Sequence, residues 1–333
     1  MAIYNNLPSN SVSPLLFAGS IIYTMLKFQY LSGINQLVIM QQTDETNCLF
    51  CGAANSKESF YAPLNFNNKQ FTYRECINCA LNFNTPLLAN DDYEKMYSLN
   101  YHDEYYFKEA KDFSKQIAIL QQAKDIISLI DFGCGDATFL DSLQKKGFSC
   151  TGVEYNPALV KKLSAEYPAI TFYAVEDFFA NNKQYDCVHL GDVLEHMVQP
   201  AETIKGLSKK IRLKGYLFVE GPVEHNPSIA YYFRKYFFTL NKMLHPKRVV
   251  DGTPYHTFLA SKKNQLKFFK LLSYATSSME IYEAAWPFPD KLANVKGFKL
   301  LVEYLVAKIS LAAAKVFPPL GNRFYYLGKK MDE

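Results

Sequence analysis

Three groups of residues in this chain have the types and spacing to do chemistry. The first is a pair of Cys-x-x-Cys turns, Cys48/Cys51 and Cys76/Cys79, separated by 24 residues. Four thiolates from two tight turns fill the tetrahedral shell of Zn²⁺ and leave no position for water, so the spacing predicts a structural zinc ribbon. The second is Asp131-Phe132-Gly133-Cys134-Gly135-Asp136, which closes an apolar run and precedes a helical pattern. Gly133 and Gly135 carry no Cβ, so the backbone can turn sharply and approach a nucleotide, and the helix behind them offers unpaired N–H groups. Glu154 lies 19 residues after Gly135 at the end of the next apolar run, where a carboxylate can accept both hydroxyls of a ribose. The third group is Asp192, Glu195 and His196, spaced i, i+3, i+4. A helix starting after Gly191 would put all three on one face, where carboxylates and an imidazole can remove a proton or hold a cation.

The elements that must position these groups follow from apolar patterning. Strands are predicted at residues 128–132, 150–153, 170–175, 186–190 and 216–220, with later ones near 278–284 and 322–328 and a helix at 116–127 before the first. Strands alternating with helical stretches indicate an α/β fold, a mostly parallel sheet with helices on both faces. Asp131, Glu154, Asp177 and Asp192 all fall at carboxyl ends of these strands, where such sheets bind ligands. The chain divides into an N-terminal extension (1–45), the ribbon (46–84), linker helices (85–128) and a main domain (129–333). Met40 marks a natural start, which makes residues 1–39 an expected upstream extension. The linker carries Tyr93, Tyr97, Tyr101, Tyr105, Tyr106 and Phe107 at helical spacings, read first as core packing. An insert around 226–262, rich in aromatic and basic residues, is expected to roof an acceptor pocket. A Lys-dotted apolar helix at 294–317 packs on the sheet or, as the alternative, lies on a membrane surface.

Composition sets the outer bounds. With 333 residues, 49% hydrophobic and 20% charged, the chain can bury a large core, which excludes a disordered protein. A net charge of +4 gives no basic excess that would argue for nucleic acid. Seven cysteines, an odd number scattered through an α/β pattern, point to a reducing compartment and hence the cytoplasm. The apolar stretch at 15–26 is shorter than the roughly 20 residues of a spanning helix.

Thr138 stands where a dinucleotide fingerprint places its third glycine, which disfavours NAD. Instead, residues 131–136, Gly152-Val153-Glu154-Tyr155-Asn156-Pro157 and the segment from Tyr185 to His196 together resemble the class I S-adenosylmethionine-dependent methyltransferases. The resemblance implies a Rossmann-like, doubly wound, seven-stranded sheet. It implies that Asp131, Gly133 and Gly135 bracket the methionine and ribose of the cofactor, that Glu154 takes the ribose hydroxyls, and that Asp177 or Glu176 meets the adenine amine. Leu190, Gly191 and Asp192 would pass beneath the sulfonium. The cysteine module is similar to the zinc-binding N-terminal segment of a bacterial subgroup whose members methylate nucleotide-linked sugars, natural products or envelope glycans.

Methyl transfer from a sulfonium is an in-line displacement, so the protein must align the acceptor and exclude water, and a hydroxyl acceptor must also lose a proton. His196 is the first candidate base, with Glu195 beside it and His225 as an alternative on the next strand end. The segment also resembles the Glu-x-x-Glu-His of metal-assisted O-methyltransferases, which implies a divalent metal held by Asp192, Glu195, His196 and His256. The competing reading has Glu195 and His196 merely capping a helix. His189, inside a strand, reads as a satisfied core residue. The expected activity is O-methylation of a sugar, glycan precursor or small metabolite, with contact to a membrane limited to its surface. C-methylation of a nucleotide sugar is the alternative, and a non-catalytic binding protein is the competing class.

Overall fold

The structure, a computed structural model, describes residues 47–96, 111–284 and 291–331. The expected extension at 1–45 and the aromatic series from Tyr97 to Phe107 lie outside these residues. The chain opens with strands β1 (Ser56–Glu58), β2 (Leu64–Phe66), β3 (Lys69–Cys76) and β4 (Asn82–Thr85), then helices α1 (Asn90–Met96) and α2 (Ser114–Gln122). The main sheet begins with β5 (Ser128–Phe132), α3 (Thr138–Gln144), β6 (Ser149–Glu154), α4 (Pro157–Glu166), β7 (Thr171–Ala174), α5 (Val175–Ala180) and β8 (Tyr185–Gly191). It continues with α6 (Pro200–Ser208) and β9 (Ile211–Pro222). Next come α7 (Ile229–Leu244), β10 (Val250–Asp251), β11 (Phe258–Leu259), α8 (Lys262–Leu271), β12 (Tyr274–Tyr282), α9 (Phe298–Val316) and β13 (Arg323–Lys330).

The seven-stranded sheet has the order β12-β13-β9-β8-β5-β6-β7, parallel from β7 to β9 and antiparallel at β13. This is the Rossmann-like, mostly parallel sheet that the sequence led one to expect. Its central strands read as continuous apolar runs because helices cover both faces; in β8 every residue from Tyr185 to Leu190 is buried. Local chemistry sets the helix starts. Asn156 accepts from the N–H of Ala158 and Leu159 ahead of α4, with Pro157 at the first position. Ser261 and Asn264 form a reciprocal capping box at α8.

The helix expected directly after β8 is not there. Asp192 adopts a left-handed backbone (φ 54°), so it is itself outside any α-helix, and the chain makes one 3₁₀ turn at Leu194–His196 before α6. Asp192 therefore shares no helical face with Glu195 and His196.

The cysteine module is not a free-standing ribbon, because the insert completes its sheet. β11 pairs antiparallel with β4, Phe258 opposite Phe83, and β10 pairs in parallel with β2, Val250 opposite Leu64. One hydrophobic core runs from this module into the main domain: Phe50, Phe71, Phe83 and Tyr93 pack in the same cluster as Val193, Leu194, Met197 and Phe269. Phe50 of the first cysteine knuckle stacks on Phe268 of α8 with centroids 4.0 Å apart, and Phe258 meets it edge-on. Phe268 is therefore a joint between modules, and Phe268→Ala is expected to cost about 3–5 kcal/mol. Denaturant unfolding followed by circular dichroism and by thiol exposure should show one coincident transition in the parent; separate transitions there would mean that the two modules do not share a core.

Candidate functional site

The glycine loop lies between β5 and α3 as its sequence requires. Gly133 and Gly135 take φ values of 89° and 53°, and Ala137, in the same left-handed region, precedes α3. Glu154 is fully buried at the end of β6 and is held across the loop. Its Oε2 accepts from the Gly135 N–H at 3.3 Å and its Oε1 from the N–H of Tyr155 at 2.8 Å. A carboxylate fixed beside a left-handed glycine turn is the donor set that a ribose-bearing cofactor needs, so the residues present fit S-adenosylmethionine. Asp177 sits exposed in the first turn of α5, directly after β7.

Asp131 has a protein partner on the neighbouring strand. Its Oδ1 lies 2.8 Å from His189 Nδ1 on the neighbouring strand, where the two residues are register partners. His189 Nε2 stands 3.3 Å from Glu220 Oε1 on β9, and Gln116 of α2 donates to Glu220 at 3.1 Å. His189 is thus buried and held by Asp131 through Nδ1, while its Nε2 makes no hydrogen bond and has Glu220 only as a charged neighbour. Burial works against the charged imidazole, but Asp131 and then Glu220 outweigh it and raise His189 to about 9. Gly191 is explained by the same network, since a Cβ there would meet His189 Cε1 at 2.8 Å.

On the same rim of the sheet, Glu195, His196 and His256 place one ligand atom each within 4.8 Å of one another. Glu195 and His196 come from the 3₁₀ turn; His256 comes from the insert just before β11. His196 Nδ1 lies 2.8 Å from the Tyr255 carbonyl, which fixes the proton there and leaves Nε2 as a lone pair 3.8 Å from Glu195 Oε1. Burial, reinforced by the neighbouring His256, lowers His196 to about 3, so it is neutral at physiological pH. His256 Nδ1 lies 2.8 Å from Glu224 Oε2; burial opposes its charge, but Glu224 and Glu195 raise it to about 9. Burial would raise Glu224 as well, and His256 overrides it, holding that carboxyl at about 2. Burial and then Asp192 push Glu195 up to about 8.

Two members of the expected site are placed elsewhere. Asp192 pairs with Arg323 of β13, Oδ1 to Nη2 at 2.5 Å, and does not join the cluster. The left-handed backbone at Asp192 and the guanidinium behind it account for that. His225 is buried with both ring nitrogens occupied, Nδ1 3.0 Å from Asn82 Nδ2 and Nε2 3.3 Å from Tyr61 Oη. It has no free lone pair for a substrate proton and instead ties β9 to the cysteine module. Glu224, Tyr255 and Arg323 were not singled out in the sequence because they act through partners distant in the chain.

The four cysteines converge as their spacing requires, Cys48 Sγ 3.5 Å from Cys79 Sγ and Cys51 Sγ 3.6 Å from Cys76 Sγ. All four sulfurs lie within 4.8 Å of one another. Hydrogen bonding from Cys79 lowers Cys48 to about 5, so one member of the set is a ready thiolate. The other three cysteines, Cys134, Cys150 and Cys187, are buried as free thiols.

Residues 102–249 match the family described as "Methyltransferase domain". The chain is 28% identical over 109 residues to a protein named ubiquinone biosynthesis O-methyltransferase from Yersinia pestis (strain Pestoides F), covering 30% of this chain and 45% of that one. The protein of the same name from Yersinia pseudotuberculosis (serotype O:1b, strain IP 31758) aligns equally. The chain therefore spans a little under half the length of these relatives. Among solved structures, a SAM-dependent methyltransferase from Archaeoglobus fulgidus is 18% identical with a TM-score of 0.41, covering 66% of this chain and 95% of that one. The match takes in the glycine loop, Glu154, Glu195 and His196, and so marks residues 102–249 as similar to a methyltransferase domain, preceded by the four-cysteine module.

The His189 network makes stability depend on pH. A histidine whose pKa rises on folding adds stability that is complete below its unfolded value, near 6.5, and is lost as pH rises through about 9. Over that window the unfolding free energy of the parent should fall by on the order of 3 kcal/mol from this group. His189→Gln should flatten the profile; an unchanged slope in the variant would assign the dependence to other groups.

Proposed function

We propose that this protein is an active S-adenosylmethionine-dependent methyltransferase that methylates an oxygen of a small-molecule acceptor, with sugars, glycan precursors and related small metabolites as the acceptor class. The observation that carries the oxygen acceptor is the Glu195/His196/His256 cluster on the rim next to the cofactor loop. The name of the Yersinia relatives, an O-methyltransferase, supports the same reading. Asp192 donates its N–H to the Glu220 carbonyl, and a Cβ on Gly221 would meet Glu195 Oε2 at 3.2 Å. Through these contacts the cluster abuts the Asp131–His189–Glu220 network beneath the loop.

The bound cofactor supplies an electrophilic methyl group, and the protein's own residues do the rest. Gly133, Gly135 and Glu154 hold and orient the donor. His196, neutral and with Nε2 directed away from its carbonyl partner, is placed to accept the acceptor hydroxyl's proton. Glu195, buried like His196, and the partly buried His256 flank it, which limits access of water. The same donor set suits a divalent metal. One carboxylate and two imidazoles, each imidazole fixed through Nδ1 by a carbonyl or a carboxylate, form a three-ligand site of the kind that leaves positions open for substrate. A metal there would be held by Glu195, His196 and His256 and would lower the pKa of the acceptor hydroxyl. The four cysteines would hold a separate, structural Zn²⁺.

Calorimetry with S-adenosylhomocysteine tests the cofactor assignment: Glu154→Ala is expected to weaken binding roughly tenfold to a hundredfold by removing hydrogen bonds to a charged group. Absence of binding by the parent protein overturns the enzyme reading itself. For the acceptor side, product mass spectrometry over a panel of nucleotide sugars and cell extracts identifies a substrate. With it, His196→Ala is expected to lower kcat by about 10²–10⁴ while leaving cofactor affinity unchanged. The metal is tested by calorimetric titration of Mg²⁺, Mn²⁺ and Zn²⁺ into chelator-treated protein: binding lost in His256→Ala supports this site, and binding retained in that variant excludes it.

A further inference from the structure

Helices α7 and α9 pack against each other, and each leaves an apolar stripe facing solvent. On α7 the inward side carries Ala230, Tyr231, Arg234 and Phe238. Phe238 and Tyr231 reach Tyr61 and Phe60 of the cysteine module, and Arg234 donates to the Glu224 carbonyl beside the His256 site. The outward side is apolar as well: Tyr236 is 72% exposed, Met243 74% and Leu244 65%. On α9, Phe298 (82%), Ile309 (55%) and Val316 (70%) repeat the pattern at helical spacing. Thirteen of the twenty large hydrophobic residues that are exposed among the described residues lie on these two helices or at Phe317 just beyond. Scattered exposed apolar residues need no explanation; two adjacent helices concentrating them do.

Charge identifies the occupant. On α7, which has no acidic residue, Arg234 is turned inward and Lys242 pairs with Glu58 at 2.8 Å, which leaves Lys235 exposed, and the exposed Lys247 and Arg248 follow the helix. α9 carries Lys299, Lys308 and Lys315, and its one acidic residue, Glu303, is buried. A second copy docked on the same face by two-fold symmetry would set these cations against their own images, which costs Coulomb energy where apolar burial would be gained. An anionic bilayer satisfies both features at once: the aromatic and aliphatic side chains enter the acyl boundary while the lysines meet phosphate headgroups. Neither helix can span, since no described helix is long and apolar enough to cross a membrane. We infer that α7 and α9 form a docking face by which this protein lies on the surface of an anionic membrane. The face adjoins the acceptor side, because α7 begins four residues after His225 and α9 leads into the strand carrying Arg323.

The test is co-sedimentation of the full chain with extruded vesicles of phosphatidylcholine, with and without phosphatidylglycerol. Binding is expected on the anionic vesicles, weakening as NaCl is raised. The triple variant Lys299→Glu, Lys308→Glu, Lys315→Glu should reduce the partition constant by roughly a hundredfold, about fivefold for each lysine lost near the surface. Met243→Ser with Phe298→Ser should reduce it on both vesicle types, and circular dichroism on each variant confirms the fold. No sedimentation of the parent with phosphatidylglycerol vesicles overturns the inference. So does light-scattering evidence of a dimer that Met243→Ser dissociates while vesicle binding is unchanged. The assay needs neither cofactor nor acceptor, so its outcome is independent of the catalytic reading.

Discussion

The structure hangs on the short segment from Tyr255 to Leu259, which is hydrogen-bonded on both sides. Towards the cysteine module, Tyr73 Oη and Asn84 Nδ2 both donate to the His256 carbonyl, and the Asn84 N–H donates to the Thr257 carbonyl. Towards the main domain, the Thr257 hydroxyl lies 2.9 Å from the Glu195 carbonyl and 2.7 Å from that of Met197. Tyr93, from the helix after the module, donates to the His196 carbonyl at 3.0 Å. Each of these groups is buried or nearly so, and an unmade bond among them would cost about 1–3 kcal/mol. The segment is over-determined, and with it the position of the His256 ring.

That constraint gives the cysteine module a purpose beyond its own stability. A four-thiolate knuckle contributes no open coordination position, so it acts through what it holds. Phe50, on the first knuckle, stacks on α8, and Asn264 of α8 donates to the Cys79 carbonyl. α8 starts three residues after β11, so fixing the knuckles fixes the strand that follows His256. A site assembled from one turn of the main sheet and one residue of an insert needs such a scaffold, because insert loops alone are too mobile to hold a ring in register.

The main sheet was legible in the sequence because strands buried on both faces appear as unbroken apolar runs, and the glycine loop because it interrupts one of them with residues that no apolar run needs. β10 and β11 were not legible. Each is two residues long, and pairing so far along the chain leaves no local trace. The error at Asp192 has a particular cause. Reading i, i+3, i+4 as one face assumes an α-helix, whereas the chain there makes a single 3₁₀ turn behind a left-handed residue. Glu195 and His196 still converge with His256 because tertiary bonds to Tyr255 and Thr257 aim them. Residue type picked out Glu195, His196 and His256, and helical spacing added Asp192, which the structure pairs with Arg323.

The buried charges explain why the loop is built as it is. His189 carries a proton up to about pH 9 and is shared by two carboxylates, Asp131 and Glu220, so the space beneath the glycine turn holds one cation between two acids. In a low-dielectric interior the imidazolium makes burying both acids tolerable, and the acids in turn keep the imidazole charged. Neutralising His189 would leave two buried acids facing each other across β8 with no cation between them. The network therefore serves the fold: one imidazole, on β8, joins the acid of β5 to the acid of β9 and holds three neighbouring strands in register.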